Sequence, residues 1–321
     1  MSRLIFILLV CFGSLIAGYL AQVILLKSRL LPYPRIKKAS DRVKIVTLLF
    51  LLPIPILNSF WKITFTSGTL LIIPFLGLLS FLVGGASAIA LIRLFHVEPS
   101  RAASVFVCGM FTNLGIFGGF IGFVLFRDLG FLLVQLFTMF EVFTYYVIGF
   151  PLSYQISRGG IASLRFNFAW IKEQPAAFVP VSAIILGSLL KVFAVPRPEA
   201  VGALSSFLIP AITALLGCAI GITLRFSRVA RYKREIAMIL AIKFVMIPLV
   251  NIPLAAVVGM GRIFQGVPLK MIAILSFMPV AFIALVPPAL YDFDLDLANS
   301  GWLVTTLSIL IIFPVLYFII L

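Results

Sequence analysis

Ten stretches of this 321-residue chain are apolar over the length a helix needs to cross a bilayer, and this leaves few folds open. With soft boundaries they cover 4–26, 45–61, 69–92, 102–126, 129–157, 176–195, 202–224, 236–258, 268–290 and 298–321. A hydrocarbon layer of about 30 Å takes about 20 apolar residues to span as a helix. Backbone N–H and C=O groups find no water there, so each run must satisfy them internally. The chain is 63% hydrophobic and 11% charged, with a mean hydropathy of +1.23, and little is left over for a soluble domain. The run 4–26 reads as a span and not as a secretion signal. Only Arg3 precedes it, it is too long for a signal's apolar core, and basic residues follow it. The expected fold is an all-α integral membrane protein with ten transmembrane helices.

A net charge of +15 would suit a nucleic-acid partner, but its distribution argues otherwise. Seventeen of the 25 Lys and Arg residues fall in 27–44, 93–101, 158–172 and 225–234, which alternate along the chain as loops of one side. The opposite side holds seven: Arg3, Lys62, Arg127, Lys191, Arg197, Arg262 and Lys270. Cytoplasmic loops keep the excess of Lys and Arg, so the basic side is inside and both termini face out. The same bias suits anionic headgroups. The lipid bilayer is therefore the expected partner of these charges, and nucleic acid is not. Cys11, Cys108 and Cys218 lie far apart within apolar runs and read as buried small hydrophobes without metal or disulfide spacing. His96, the only histidine, falls in a basic loop. No metal, cofactor or His-based nucleophile is expected.

Two runs are interrupted. Asn113-Leu114-Gly115-Ile116-Phe117-Gly118-Gly119 breaks the fourth, and Met278-Pro279-Val280-Ala281 breaks the ninth. An acid follows fifteen residues after Asn113 and after Pro279, at Asp128 and Asp294. Glycine loosens a helix and proline removes a donor, and unwound backbone survives at membrane depth only where protein or a wet cavity covers it. Paired interruptions in corresponding spans are the sequence pointer to a carrier's substrate site. Phe50-Leu51-Leu52-Pro53 and Phe207-Leu208-Ile209-Pro210 match in the second and seventh runs. Matches at the second and fourth positions of two five-helix units, each with an odd number of spans, imply an inverted repeat. Its bounds are 1–157 and 176–321, with a cytoplasmic connector at 158–175. In the connector, Ile161, Leu164, Phe168 and Ile171 recur near helical spacing, which predicts a short interfacial helix with Trp170 at the headgroups. The first loop, Lys27 to Lys44, carries Pro32 and Pro34 and is expected to be extended.

These motifs resemble the auxin efflux carrier family of membrane permeases, within the wider bile acid and auxin carrier superfamily. The run Asn113 to Phe120 is similar to the family's Asn-Thr-Gly-Phe-Leu-Gly-Ile-Pro pattern, with Phe120 in place of the proline. Pro210 with Leu216-Gly217, Ile242-Lys243 through Pro248, Met278 to Ala281, and Tyr291-Asp292-Phe293-Asp294 carry the rest of the likeness, which covers nearly the whole chain. The resemblance implies ten helices in an inverted five-plus-five repeat, with broken helices four and nine crossed. It further implies efflux or exchange of a small organic anion, and the short connector looks like the bacterial members, hence a bacterial inner membrane. Without the proline, the first break must rely on Gly115, Gly118 and Gly119. A homodimer is admitted as an assembly.

Asn113 is the first candidate for a substrate contact, because an amide both donates and accepts beside freed backbone donors. Gly115, Gly118, Gly119, Pro279, Val280 and Ala281 complete the expected binding region. Gln135, Asn58, Asn251 and Ser276 read as bonds between helices. Asp292, Asp294 and Asp296 read as a solvated loop, or alternatively as a gate pairing with the basic loops. Lys243 and Glu141 lie near mid-membrane, where a charge costs at least about 2.5–3.5 kcal/mol and so faces a partner or a cavity. Three roles stay open for them: a mutual ion pair, a positive charge at Lys243 for the anion, and a coupling proton at Glu141. The alternative function is a sodium- or proton-coupled organic anion symporter of the bile-acid carrier type. An enzyme is not expected: no converging catalytic set and no Gly-Lys-Ser/Thr phosphate loop is present.

Overall fold

The computed structural model describes residues 2–28, 30–62, 68–158, 179–223 and 229–320. Every regular element among them is helical, apart from one isolated antiparallel bridge. Among the described residues seven helices are long and apolar enough to cross a membrane: α1 (Ser2–Lys27), α2 (Tyr33–Lys62), α3 (Gly68–Leu94), α5 (Gly119–Ser157), α7 (Glu199–Gly221), α8 (Val229–Val257) and α11 (Leu295–Ile320). Between them lie shorter helices: α4 (Pro99–Met110), α6 (Val179–Val192), α9 (Val267–Ser276) and α10 (Phe282–Tyr291). The chain is an all-α protein of multi-pass membrane character.

Helix α5 is not one rod. Arg127 has φ 56° and ψ −141°, a strained backbone for a residue with a Cβ, and it falls between the apolar runs 102–126 and 129–157. Residues 138–140 form a second turn within it. The expectation of an extended segment to Lys44 is corrected: α2 begins at Tyr33. Pro32 takes an extended backbone just ahead of the helix, and Pro34 occupies its first turn, where no N–H is needed. The two prolines start the helix instead of preventing it. Beyond Arg158, the connector 158–175 with Trp170 lies outside the described residues.

The chain divides into two compact units. The first holds Met1–Thr66, Gly115–Gln135 and Gln174–Arg225, and the second Ser67–Leu114, Leu136–Glu173 and Phe226–Leu321. Each unit draws on both halves of the sequence.

In the first unit α1 packs closely on α7. A Cβ at Gly18 would stand 2.2 Å from the Cys218 carbonyl, and one at Gly221 would stand 2.1 Å from that of Leu15. Where water cannot drive helices together, small residues at the seam let backbones approach and gain dispersion contacts. The Ser40 hydroxyl donates to the Ala219 carbonyl at 2.6 Å, tying α2 to the same helix. At the other end of α2, Arg197 donates to the Asn58 side-chain oxygen at 2.7 Å and Lys62 pairs with Asp128 at 2.5 Å.

In the second unit α3 lies along α4, with Gly84 against Gly109, and approaches the turn after Phe137 through Gly77. Its aromatic core includes Phe81, Phe106, Phe111 and Tyr145, all almost fully buried. Tyr145 stacks on Phe111 at 4.1 Å between ring centroids and meets Phe81 edge-on at 5.2 Å.

Candidate functional site

The second unit contains the start of the first interruption, as far as Leu114, and the whole of the second, and these segments hold each other. Helix α4 ends at Met110, and Phe111 turns to an extended backbone at φ −88°, ψ 121°. Helix α9 ends at Ser276, and Ala281 is extended at φ −70°, ψ 148°. Thr112 and Val280 face each other as the antiparallel bridge. Asn113 N–H donates to the Pro279 carbonyl at 2.8 Å, and Ala281 N–H donates to the Phe111 carbonyl at 3.0 Å. Proline removes one donor from the second segment, while its own carbonyl stays available and accepts from Asn113.

Side chains satisfy the remaining amides. Thr112 N–H donates to the Tyr145 hydroxyl at 2.9 Å, and that hydroxyl lies 3.3 Å from the Thr112 carbonyl, to which it donates. Val280 N–H donates to the Thr305 hydroxyl at 3.2 Å. The Leu114 amide bonds back to the Thr112 carbonyl, and those of Phe111, Phe277 and Met278 bond within their own turns. Every N–H from 111 to 114 and from 277 to 281 is therefore engaged, Pro279 having none.

Lys243 approaches the bridge from α8. Its side chain is fully buried, and its ammonium donates to the Phe111 carbonyl at 3.0 Å and to the Thr112 hydroxyl at 2.6 Å. No described Asp or Glu lies within ion-pair distance of it. Glu141 instead lies in hydrogen-bonding reach of the Tyr145 hydroxyl, one helical turn further along α5. The two deep charges therefore reach the bridge through different residues, Lys243 directly and Glu141 by way of Tyr145. Both Tyr145 and Lys243 sit in π-helical turns, Thr144–Gly149 and Ile242–Met246. Such widened turns recur at functional sites.

The structure thus joins Asn113, Pro279, Val280, Ala281 and Lys243, with Glu141 one residue removed. The Asn113 amide is buried, and among the described residues it makes no side-chain hydrogen bond. Gly115, Gly118 and Gly119 belong to the first unit. The break begins ahead of all three, where the backbone leaves the helix at Phe111, and Gly115 and Gly118 lie in the π-helical turn Leu114–Gly118 that follows it; among the described glycines only Gly259 and Gly266 have positive φ. The bonds from Tyr145, Pro279 and Lys243 hold the break open in place of glycine freedom. Thr112, Tyr145 and Thr305 were not anticipated. Tyr145 could have been found from its spacing of four after Glu141, which puts both on one helical face.

The polar residues read as bonds between helices divide. Asn58 accepts from Arg197 in the loop between α6 and α7, and Ser276 bonds within its own helix to Ile272. Asn251 is fully buried with both amide atoms unpaired among the described residues.

Asp294 is not part of a solvated loop. Its carboxylate accepts from the Tyr232 hydroxyl at 2.9 Å and from Leu297 N–H at 3.0 Å, capping α11, and lies 3.7 Å from Arg101. Arg101 also reaches Glu235 at 3.3 Å. All five residues belong to the second unit, so the cluster ties α4, α8 and α11 together. Losing both the cap and the charged contacts in Asp294→Ala should cost about 1–2 kcal/mol. Asp296→Ala, an exposed change in the first turn, should cost under about 1 kcal/mol. Paired thermal unfolding curves of the purified proteins check the difference.

A concavity of about 320 Å³ in the first unit, between α1, α2 and α7, is lined almost wholly by apolar residues such as Ala17, Ala21, Leu25, Ile36 and Val43, and the Ser40 hydroxyl at its wall is already bonded to the Ala219 carbonyl. Among the described residues no cluster of His, Cys, Asp or Glu could hold a metal ion. Comparison of the sequence with protein-family models and with curated proteins finds no match.

Proposed function

We propose that this chain is a secondary carrier of small organic anions in the cell membrane, related to the auxin efflux carriers. In this reading it has ten spans in an inverted five-plus-five repeat, with broken helices four and nine crossing at the Thr112–Val280 bridge. One observation carries the proposal: the backbone segments where two apolar runs are interrupted, one from each half, pair with each other within one compact unit, beside an Asn113 amide with no hydrogen bond among the described residues. Interrupted helices meeting at mid-membrane are how carriers present backbone and amide groups to a substrate. The Lys243 ammonium at the same bridge favours an anion over a cation. Nothing in the arrangement requires a cofactor or a chemical step.

Purified protein should be stabilised against heat by at least one member of a panel of mono- and dicarboxylates, and proteoliposomes loaded with that compound should exchange it. Ligand at a hundred times its dissociation constant adds about 2.7 kcal/mol, an easily read shift. A panel that produces neither stabilisation nor exchange ends the proposal. The proton-coupled alternative draws on one observation, the Glu141 carboxyl facing a tyrosine that holds the bridge. It requires that an imposed pH gradient drive uptake by the native protein and not by Glu141→Gln.

The basic loops define the proposed orientation, with both termini outside. Single cysteines at the exposed positions Lys38 and Arg231 should be shielded from an impermeant thiol reagent in intact cells, and one at exposed Arg262 should react. Labelling at Lys38 would invert the topology.

A further inference from the structure

Lys243 spends a whole buried ammonium on the break in α4. Its acceptors are a carbonyl at the C-terminal end of a helix and the hydroxyl of the next residue, at 3.0 and 2.6 Å. A helix C-terminus carries partial negative charge and favours a cation. Carbonyls freed where a membrane helix unwinds, together with neighbouring oxygens, are the ligands that carriers offer to a coupling cation. The lysine delivers a positive charge to that location on a covalent stem and is completely shielded from solvent. No carboxylate among the described residues neutralises it, so its stabilisation comes from these oxygens. Ordinary ion pairing does not explain the lysine, and filling a cation site does.

We infer that Lys243 is a tethered cation: its ammonium occupies the place at the bridge where a dissociable monovalent cation would otherwise bind. The bridge is then assembled without sodium. The inference rests on the carrier reading for its consequence, transport that needs no sodium, but not for the site itself.

The test compares thermal unfolding of purified protein in sodium chloride and in choline chloride at equal ionic strength. The native protein should unfold at the same midpoint in both. Lys243→Ala should unfold several degrees lower and regain part of the loss with propylammonium or sodium, but not with choline, which is too large for the vacated space. A purely structural lysine would show the loss without cation-specific recovery, and that result overturns the inference. So does sodium-specific stabilisation of the native protein, or a Lys243→Ala midpoint equal to native. Should Lys243→Ala not yield folded protein, Thr112→Ala removes one acceptor while the ammonium stays. Its midpoint should fall and remain indifferent to sodium, and a sodium-dependent midpoint there overturns the inference. Carboxylate exchange by native proteoliposomes should run equally fast in the two salts. Exchange in neither salt would count against the carrier reading alone, since the unfolding measurements report on the cation site directly.

Discussion

A Gly77→Val protein is expected not to accumulate in folded form. A Cβ on Gly77 would lie 1.8 Å from the Phe137 carbonyl oxygen, well inside contact distance. That oxygen is backbone in the middle of the second unit and cannot rotate aside as a side chain could. Relief would require α3 to move away from the turn after Phe137, breaking the Phe81–Tyr145 ring contact next to it. Overpacking a well-filled interior costs about 1–3 kcal/mol, and more when backbone is the obstacle, so a loss above about 3 kcal/mol is expected. Gly115→Ala is the matched control. A Cβ there meets nothing within 4 Å, and stability should stay within about 0.5 kcal/mol of native. Size-exclusion profiles and unfolding midpoints in detergent decide the matter. A monodisperse Gly77→Val protein melting within a few degrees of native would show that the helices do not approach as described.

Asn113→Ala should fold normally and bind its anion ten- to a hundredfold more weakly. The two parts follow from one feature. The backbone of Asn113 is bonded to Pro279, a contact that alanine keeps, while its side-chain amide has no hydrogen bond among the described residues to lose. Removing an amide that meets substrate costs about 1–3 kcal/mol, which is roughly the stated loss in affinity. The measurement is the half-saturation concentration for exchange alongside the unfolding midpoint without ligand. Unchanged half-saturation would move the substrate site elsewhere. A lowered midpoint with unchanged affinity would make Asn113 structural.

Much of the fold was legible because hydropathy in a membrane chain is a statement about backbone satisfaction. The runs 4–26, 69–92, 202–224 and 298–321 return as α1, α3, α7 and α11. The positive φ of Arg127 stands where two runs abut. Prolines were read less well. Pro32 and Pro34 suggested an extended loop, although a proline in a first helical turn gives up nothing, and α2 uses Pro34 in that way. Both interruptions are legible, but the first begins at Phe111, two residues before Asn113, and passes into the π-helical turn Leu114–Gly118. Glycines signal local freedom, and Gly115, Gly118 and Gly119 drew the break towards themselves. The helix in fact ends at Phe111 because of bonds from residues distant in sequence, Tyr145, Lys243 and Ala281. Long-range bonds of this kind leave no local mark. Asp294 is a similar case: the three alternating acids leave open a solvated loop or a pairing with the basic loops, and only the fold brings Arg101 and Tyr232, from the basic segments 93–101 and 225–234, to one of them.

A gap in a membrane helix is commonly pictured as a soft joint. Here the gap is a bearing. With every available amide between 111 and 114 and between 277 and 281 already bonded, there is no slack for either segment to bend on its own. Whatever displacement a working cycle requires would have to carry the two bridged segments together as one rigid piece. These non-helical amides should then exchange with deuterium as slowly as those inside α3. Mechanical compliance in such a molecule would have to come from outside the bridge.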